Sequence, residues 1–484
     1  MNLTETQTPA PPTHDGTMTT SLRETMNYLN EHLGVKRSFD IIYRTIKVGD
    51  RTACVYFIDG FCKDEIMNRL IFDLMQVKPK DLPENPHDLI KSVISYVEID
   101  LKDNWEDIIT MVLSGVSALF IDGYDRCILI DSRTYPARNV SEPDKDKAMR
   151  GSRDGFVETL IFNTALIRRR IRNTDLTMEM MQAGQSSKTD IVVCYMKGRV
   201  NEEFLEQIKN RIKSIKVDAL TMGQESLAEC LYRKKWLSPY PKFRFTERPD
   251  TAAAQILEGH IVILVDNSPN VMITPISVFD VLEEADDFYF PPITGTYLRF
   301  ARLLIALMTY FITPTYLLLT MNPNWIPSMF EFIMLKENTN IPIVWQFLIL
   351  ELAIDGLRLA AVNTPTMLST PLSIMAALVL GEFSVKSGWF NSEVMLYMAF
   401  VAIASFTQAS YEFGYAIKFM RIITLVLTAI FGIYGFIAGI IILFGSIAMN
   451  KTMEGSSYLY PLIPFNARKL SYRIFRRRLP RSRE

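Results

Sequence analysis

Arg421-IITLVLTAIFGIYGFIAGIIILFGSIAM-Asn450 carries no charge between Arg421 and Lys451. A bilayer core about 30 Å thick is crossed by about 20 apolar residues in a helix. No soluble helix needs to be this long and apolar on every side. Working outward, four more apolar segments precede it, at 298–320, 341–361, 366–385 and 394–413, with the quoted stretch supplying the fifth at 420–447. Residues 296–450 therefore read as an α-helical multi-pass membrane domain. The rest of the chain must be explained as what is attached to it.

The chain has 484 residues and a formal net charge of -1, which hides a split. The basic tail 451–484 holds, from Asn466 on, Arg468, Lys469, Arg473, Arg476, Arg477, Arg478, Arg481 and Arg483 against one acid, Glu484. Beside a membrane segment such a tail is expected to be cytoplasmic. It is either a solvated tail or a site for anionic lipid. Nucleic-acid binding is not expected, because no folded domain surrounds these charges. Residues 1–20 are polar and read as a disordered tail; they lack the basic and apolar regions of a signal peptide. The five cysteines include no CxxC pair, which favours reduced thiols.

Between the ends the pattern is α/β. Residues 21–138 read as one cytoplasmic subdomain, with a strand from Ala53 to Gly60, a helix over Asp64–Val77 and a hairpin turning at Gly123. Residues 139–152 read as a linker. Residues 153–290 read as a helix plus a second α/β subdomain. That helix is expected to run from Asp154 to Met181, because Phe156, Leu160, Thr164, Ile167 and Ile171 share one side. Strands follow at Asp190–Met196, at His260–Asp266 and at Val271–Thr274, with a helix over Asn201–Lys213.

Chemistry-bearing motifs are few. Gly184-Gln-Ser-Ser-Lys188-Thr189 lacks the glycine before lysine that a phosphate loop needs. His14, His32, His87 and His260 share no metal spacing. The residues suggest neither an enzyme nor a bound cofactor or metal. Segment 341–361, by contrast, contains Glu351, Asp355 and Arg358, spaced four and three apart on one helical face. Charges inside a membrane helix are retained when paired or facing water. Two readings stay open: a polar lining for an ion path, or an ion-pair cluster locking helices together. In both, Arg358 is expected to pair with an acid, Asp355 first, leaving Glu351 toward the ion in the pore reading. Pro365 and Pro371 are expected to break the following segment near mid-membrane. Gly435 and Gly439 mark a face for close helix packing. Arg168, Arg169 and Arg170 form either a solvated helix face or an interface. Because two cytoplasmic ends need an even number of crossings, one of the five segments is expected not to cross, within 341–385.

Several blocks carry a resemblance. Glu142-PDKDKAMRGSRDGFVETLIFNTALIRRRI-Arg172, Tyr240-PKFRFTERPD, Glu258-GHIVILVDNSPNVMITP, Ala404-SFTQASYEFGYAIKFMR and Tyr458-LYPLIPF resemble the A subunits of spore germination receptors, the GerA family. The resemblance implies a two-part cytoplasmic region, a membrane domain in the spore inner membrane, and a role in germination. It implies assembly as a homo-oligomer, a pentamer, that conducts monovalent cations, alongside other spore membrane germination proteins. A non-conducting scaffold for those proteins is the alternative. The family core motif falls on Arg150, Gly151, Asp154, Gly155, Phe156 and Glu158, with Ser152 where proline is usual. The family's arginine run falls on Arg168–Arg170 and raises the weight of a subunit-interface role, toward a neighbour's Glu283, Glu284, Asp286 and Asp287. Its acidic membrane helix falls on Glu351, Asp355, Gly356, Leu357, Arg358 and Leu359, with Ala360 in place of a proline.

Overall fold

The computed structural model describes residues 18–62, 64–94, 96, 98–133, 150–232, 238–335, 340–363 and 381–476. Most of the expected tail 1–20 and linker 139–152 lie outside these residues, as do Pro365 and Pro371. Two compact units are present. The first runs through both α/β halves to Pro275. The second takes residues 238–242 and everything from Ile276 onward.

The first half of unit one contains α1 (Leu22–His32), β1 (Ile41–Val48), β2 (Arg51–Ile58), α2 (Asp64–Met75), α3 (Pro86–Ser92), β3 (Ile99–Lys102), α4 (Trp105–Leu113), β4 (Ser117–Ile121) and β5 (Cys127–Ile130). The second half contains α5 (Leu160–Arg170), β6 (Leu176–Ala183), β7 (Thr189–Met196), α6 (Glu202–Lys213), α7 (Gln224–Leu231), β8 (Arg244–Thr246), α8 (Pro249–Leu257), β9 (Ile261–Val265) and β10 (Val271–Thr274). The halves share one element order and one sheet order: β1-β2-β4-β5-β3 and β6-β7-β9-β10-β8, each antiparallel throughout.

The duplication extends to single hydrogen bonds. Asp122, just after β4, accepts from the backbone N–H of Leu22 at the start of α1, at 3.0 Å. Asp266, just after β9, accepts from Leu160 at the start of α5, at 3.3 Å. A carboxylate placed there satisfies a free N–H and complements the helix dipole. The next residue adopts positive φ in both halves, Gly123 at 87° and Asn267 at 59°. Its N–H donates to the segment before the helix, to Thr20 in one half and to Glu158 in the other.

Helices cover both faces of the first sheet. Cys54, Tyr56 and Ile58 of β2 pack with Leu29, Trp105 and Ile108, whereas Ala53 and Val55 pack with Met67, Leu70 and Leu74. This two-sided burial explains why β4 and β5 are apolar without alternation.

The expected helix over Asp154–Met181 is corrected. Helix α5 spans only Leu160–Arg170, and Leu176–Ala183 is a strand paired with β7 over its whole length. Asn173-Thr174-Asp175 makes the turn, its Asn173 side chain accepting from Asp175 N–H at 2.7 Å. Such local side-chain bonds compete with helix continuation.

Unit two contains α9 (Val278–Leu282), α10 (Asp286–Tyr289), α11 (Pro292–Met321), α12 (Ile343–Asn363), α13 (Ser392–Ser405), α14 (Tyr411–Phe431), α15 (Ile433–Ala448) and α16 (Ala467–Ile474). By length and composition α11 and α14 can each cross a membrane; α13 and α15 are shorter apolar helices. The expected segment 366–385 lies mostly outside the described residues. Segment 394–413 ends early, and residues 406–410 separate α13 from α14, where Ser410 caps the new helix by accepting from Phe413 N–H.

The stretch Arg421–Asn450 is not one helix. Gly432, at φ 58°, stops α14, and α15 turns back along it. Gly435 and Gly439 make the return possible. A Cβ on Gly435 would lie 1.9 Å from the Leu427 carbonyl oxygen, and one on Gly439 would lie 2.4 Å from Thr424 Oγ1. Gly435→Ala is therefore expected to push α15 off α14 and lower the thermal unfolding midpoint of the detergent-purified protein; Gly445→Ala, with open space around its Cβ, should not.

Candidate functional site: a charged cluster between helices

Glu351 is the ninth residue of the 21-residue α12, and Arg421 is the eleventh of the 21-residue α14. They meet side by side. Arg421 Nε donates to Glu351 Oε1 at 2.9 Å, and its Nη2 donates to the same oxygen. Arg421 Nη1 donates to the Thr309 carbonyl of α11 at 2.9 Å, so one guanidinium joins three helices. Glu351 is 4% exposed and Arg421 2%. One turn along, Lys418 contacts Asp355 and lies 3.4 Å from Glu351 Oε2. Beside them, Tyr310 and Thr424 hydroxyls meet at 2.7 Å.

The expected pairing of Arg358 with Asp355 is corrected. Asp355 pairs with Lys418, and Arg358 Nη2 donates to Ser405 Oγ at 2.9 Å. The Arg358 guanidinium also lies over the Phe406 and Tyr415 rings, at 4.9 and 5.5 Å. Among the described residues Glu351 faces Arg421 and Lys418 and not an open path. The adjoining cleft has a volume of about 30 Å³. Lys418 and Arg421 are the residues that sequence reasoning missed. Their signal is two bases three residues apart inside an apolar run, but Arg421 also opens the uncharged stretch and so reads as its boundary.

The arginine run is split. Arg168 is 0% exposed. Its Nε donates to Asp40 Oδ2 at 2.7 Å and its Nη2 to Asp40 Oδ1 at 3.0 Å. It also donates to the carbonyls of Asn173 and Leu176 and to Ser38 Oγ. Ser38 Oγ in turn accepts from Met178 N–H, and Phe39 N–H donates to the Met178 carbonyl. Arg168 thus ties the two α/β halves of its own chain together. Arg170 pairs with Asp154 at 2.6 Å and Ser152 Oγ at 3.0 Å, and Arg169 is the exposed member. Burial pushes the Asp154 carboxyl up, but its bonds from Arg170 and Ser152 outweigh that and leave it below its ordinary value.

The remaining core-motif residues make contacts within the second half. Phe156 is buried and its N–H donates to the Glu247 carbonyl; the Glu158 carbonyl accepts from Asn267. Gly151 sits at φ 110°, Gly155 is buried and Arg150 is exposed.

The acidic segment expected to meet a neighbour's arginines is engaged within the chain. Asp287, 0% exposed, lies 3.3 Å from Arg299 and 3.1 Å from Arg302 at the base of α11. Glu284 pairs with Arg302 at 2.7 Å, and Arg473 of α16 reaches Asp280 at 2.6 Å and Glu283 at 3.3 Å. Arg299 donates to the carbonyls of Tyr472 and Arg473. The start of the tail is therefore docked onto the entrance of α11. Nearby in sequence to the unit boundary, Tyr240 meets Ser446 at 2.7 Å, and Lys242 donates to Asn450 and to the Lys451 carbonyl. Burial pushes the Lys242 ammonium down to about 8.

The family model described as Bacillus/Clostridium GerA spore germination protein matches residues 27–484. The chain is 36% identical over 444 residues to stage V sporulation protein AF of Bacillus subtilis (strain 168), covering 92% of this chain and 90% of that protein. It is 28% identical over 451 residues to spore germination protein KA of the same organism, covering 91% and 82%. Among solved structures, the N-terminal domain of the A subunit of the Bacillus megaterium spore germinant receptor GerK3 aligns with a TM-score of 0.40 at 28% identity, over 53% of this chain and 95% of that one. With the family model matched over nearly its whole length, this chain belongs to the Bacillus/Clostridium GerA spore germination protein family.

Proposed function

We propose that this protein is a membrane subunit of the spore germination apparatus that passes monovalent cations as a homo-oligomer, with the α12–α14 charge cluster clamping it shut. Family membership supports the role in spore germination. The single observation behind the clamp is the cross-pairing of Glu351 and Asp355 with Arg421 and Lys418 at the middle of two apolar helices. Ionised groups at that depth are costly and mark functional sites by default.

The proposed topology places unit one and the basic tail on the cytoplasmic face of the spore inner membrane. Helix directions support an even number of crossings. Tyr316 meets Phe347 while Thr309 and Glu351 share Arg421, so α11 and α12 run oppositely. Gln346 meets Asn391 and Arg358 meets Ser405, so α12 and α13 run the same way. Helix α14 opposes α12, and α15 opposes α14. With the hairpin at Gly432 counted as two passes, α11 and α15 run oppositely, which returns the chain to the side on which it entered. Arg169 is the part of the arginine run assigned to a neighbouring subunit. The basic residues beyond α16 are assigned to anionic lipid, and other spore membrane germination proteins are the proposed partners.

The scaffold reading is favoured by one observation: both acids are matched by cations, so neither is a free pore carboxylate. Cation flux from liposomes carrying the purified protein separates the two. Removing both charges with Glu351→Gln and Arg421→Gln leaves no charge unpaired, because Lys418 keeps Asp355. If the cluster is a gate whose loss shifts the balance by about 1.4 kcal/mol, basal flux rises about tenfold. Flux no higher than empty liposomes, from parent and variant alike, puts the scaffold first.

A further inference from the structure

The cleft beside the charge cluster has one base too many. Glu351 and Asp355 are its acids; Arg358, Lys418 and Arg421 are its bases, leaving a formal charge of +1. Lys418 and Arg421 take both carboxylates. Arg358 meets no carboxylate among the described residues, and its Nε is shielded from solvent with no acceptor. Gln408, in the turn between α13 and α14, lines the same cleft. It is 9% exposed, and neither its amide nitrogen nor its amide oxygen has a partner. A buried amide with both ends unmet pays its full desolvation cost with nothing in return, and a partly buried guanidinium calls for a counter-charge. Three unmet groups thus converge on a cleft of about 30 Å³.

Their chemistry defines an occupant. Arg358 Nε–H and Gln408 Nε2–H offer hydrogens to an oxyanion. Gln408 Oε1 asks for a hydrogen in return. The volume admits only a few heavy atoms, and the surplus charge asks for a single negative one. We propose that this cleft binds a small monovalent oxyanion that carries its own O–H beside its acceptor oxygens, bicarbonate being the simplest of that class. Its oxygens accept from Arg358 and Gln408, its O–H donates to Gln408 Oε1, and its charge neutralises the cluster. The site stands whether or not the protein conducts cations.

The test uses the full chain purified in detergent at pH 8. Sodium bicarbonate is titrated against sodium gluconate at constant ionic strength, with acetate as an oxyanion lacking the donor. The expected result is a saturable rise in the thermal unfolding midpoint with bicarbonate that exceeds the rise with acetate. Arg358→Gln orphans no carboxylate, so it is expected to fold and to lose the response to both anions. Gln408→Leu is expected to erase the difference between them. Equal responses to bicarbonate and acetate in the parent, no response to either, or a response that survives both substitutions overturns the site. A rise produced only by phosphatidylglycerol micelles also overturns it, in favour of a lipid phosphate.

Discussion

Arg421→Ala is expected to be the most damaging single change in unit two. It leaves Glu351 buried without its principal partner and removes the side-chain donor to the Thr309 carbonyl. Breaking a buried pair from one side costs about 3–5 kcal/mol. The outcome belongs at the lower end, because Lys418 Nζ already lies 3.4 Å from Glu351 Oε2 and offers a substitute charge. Adding Glu351→Gln to the Arg421 change should restore much of the loss, since an uncharged pair leaves no ion stranded. Thermal unfolding of the single and double variants in detergent checks this. A double variant no more stable than the single one would mean that α11, α12 and α14 are held by packing and not by this pair. Arg358→Ala, by contrast, should cost little. Its bond is to a hydroxyl, and no carboxylate depends on it.

Arg168→Ala is expected to do comparable damage in unit one, again about 3–5 kcal/mol by the same argument. Asp40 is 1% exposed and would keep only Ser38 as a donor. The Leu176 carbonyl would also lose the Arg168 donor, while the Asn173 carbonyl would keep the Leu176 N–H. Arg168→Lys should not rescue it, because one ammonium cannot replace a planar fork that serves a carboxylate and two carbonyls at once. Urea unfolding of a fragment ending at Pro275 provides the measurement. The parent fragment should unfold in a single transition, and the variant should separate its two halves into two. A single transition with an unchanged midpoint would remove Arg168 from the role of joint. Reversing Arg169, which is exposed, is expected to leave this transition where it is.

Much of this protein is legible without coordinates. The apolar run Arg421–Asn450 announces a helical region because about 30 uncharged residues have no other economical burial. Single elements such as Arg51–Ile58, Asp64–Met75 and Glu202–Lys213 follow from local periodicity, and the motif Arg150–Glu158 with Arg168–Arg170 carries the family. Gly435 and Gly439 are visible as a packing face because small residues at that spacing admit a close neighbour.

What local pattern cannot supply is the identity of the neighbour. Gly432 reads as an ordinary membrane glycine until its positive φ folds α15 back onto α14, which splits the last apolar stretch into two helices. Arg168, Arg169 and Arg170 are one motif in sequence. A helix turns 100° per residue, however, so one of them enters the core to meet Asp40, 128 residues away, while the next faces outward. Glu351, Asp355 and Arg358 share a face, which suggests that they pair among themselves. Their actual partners come from α13 and α14, because charges on one face can be neutralised by the helix packed against it. The duplicated halves show the same limit: Asp122 and Asp266 hold equivalent places, but only the sheet order and the helix N-terminus beside each reveal it.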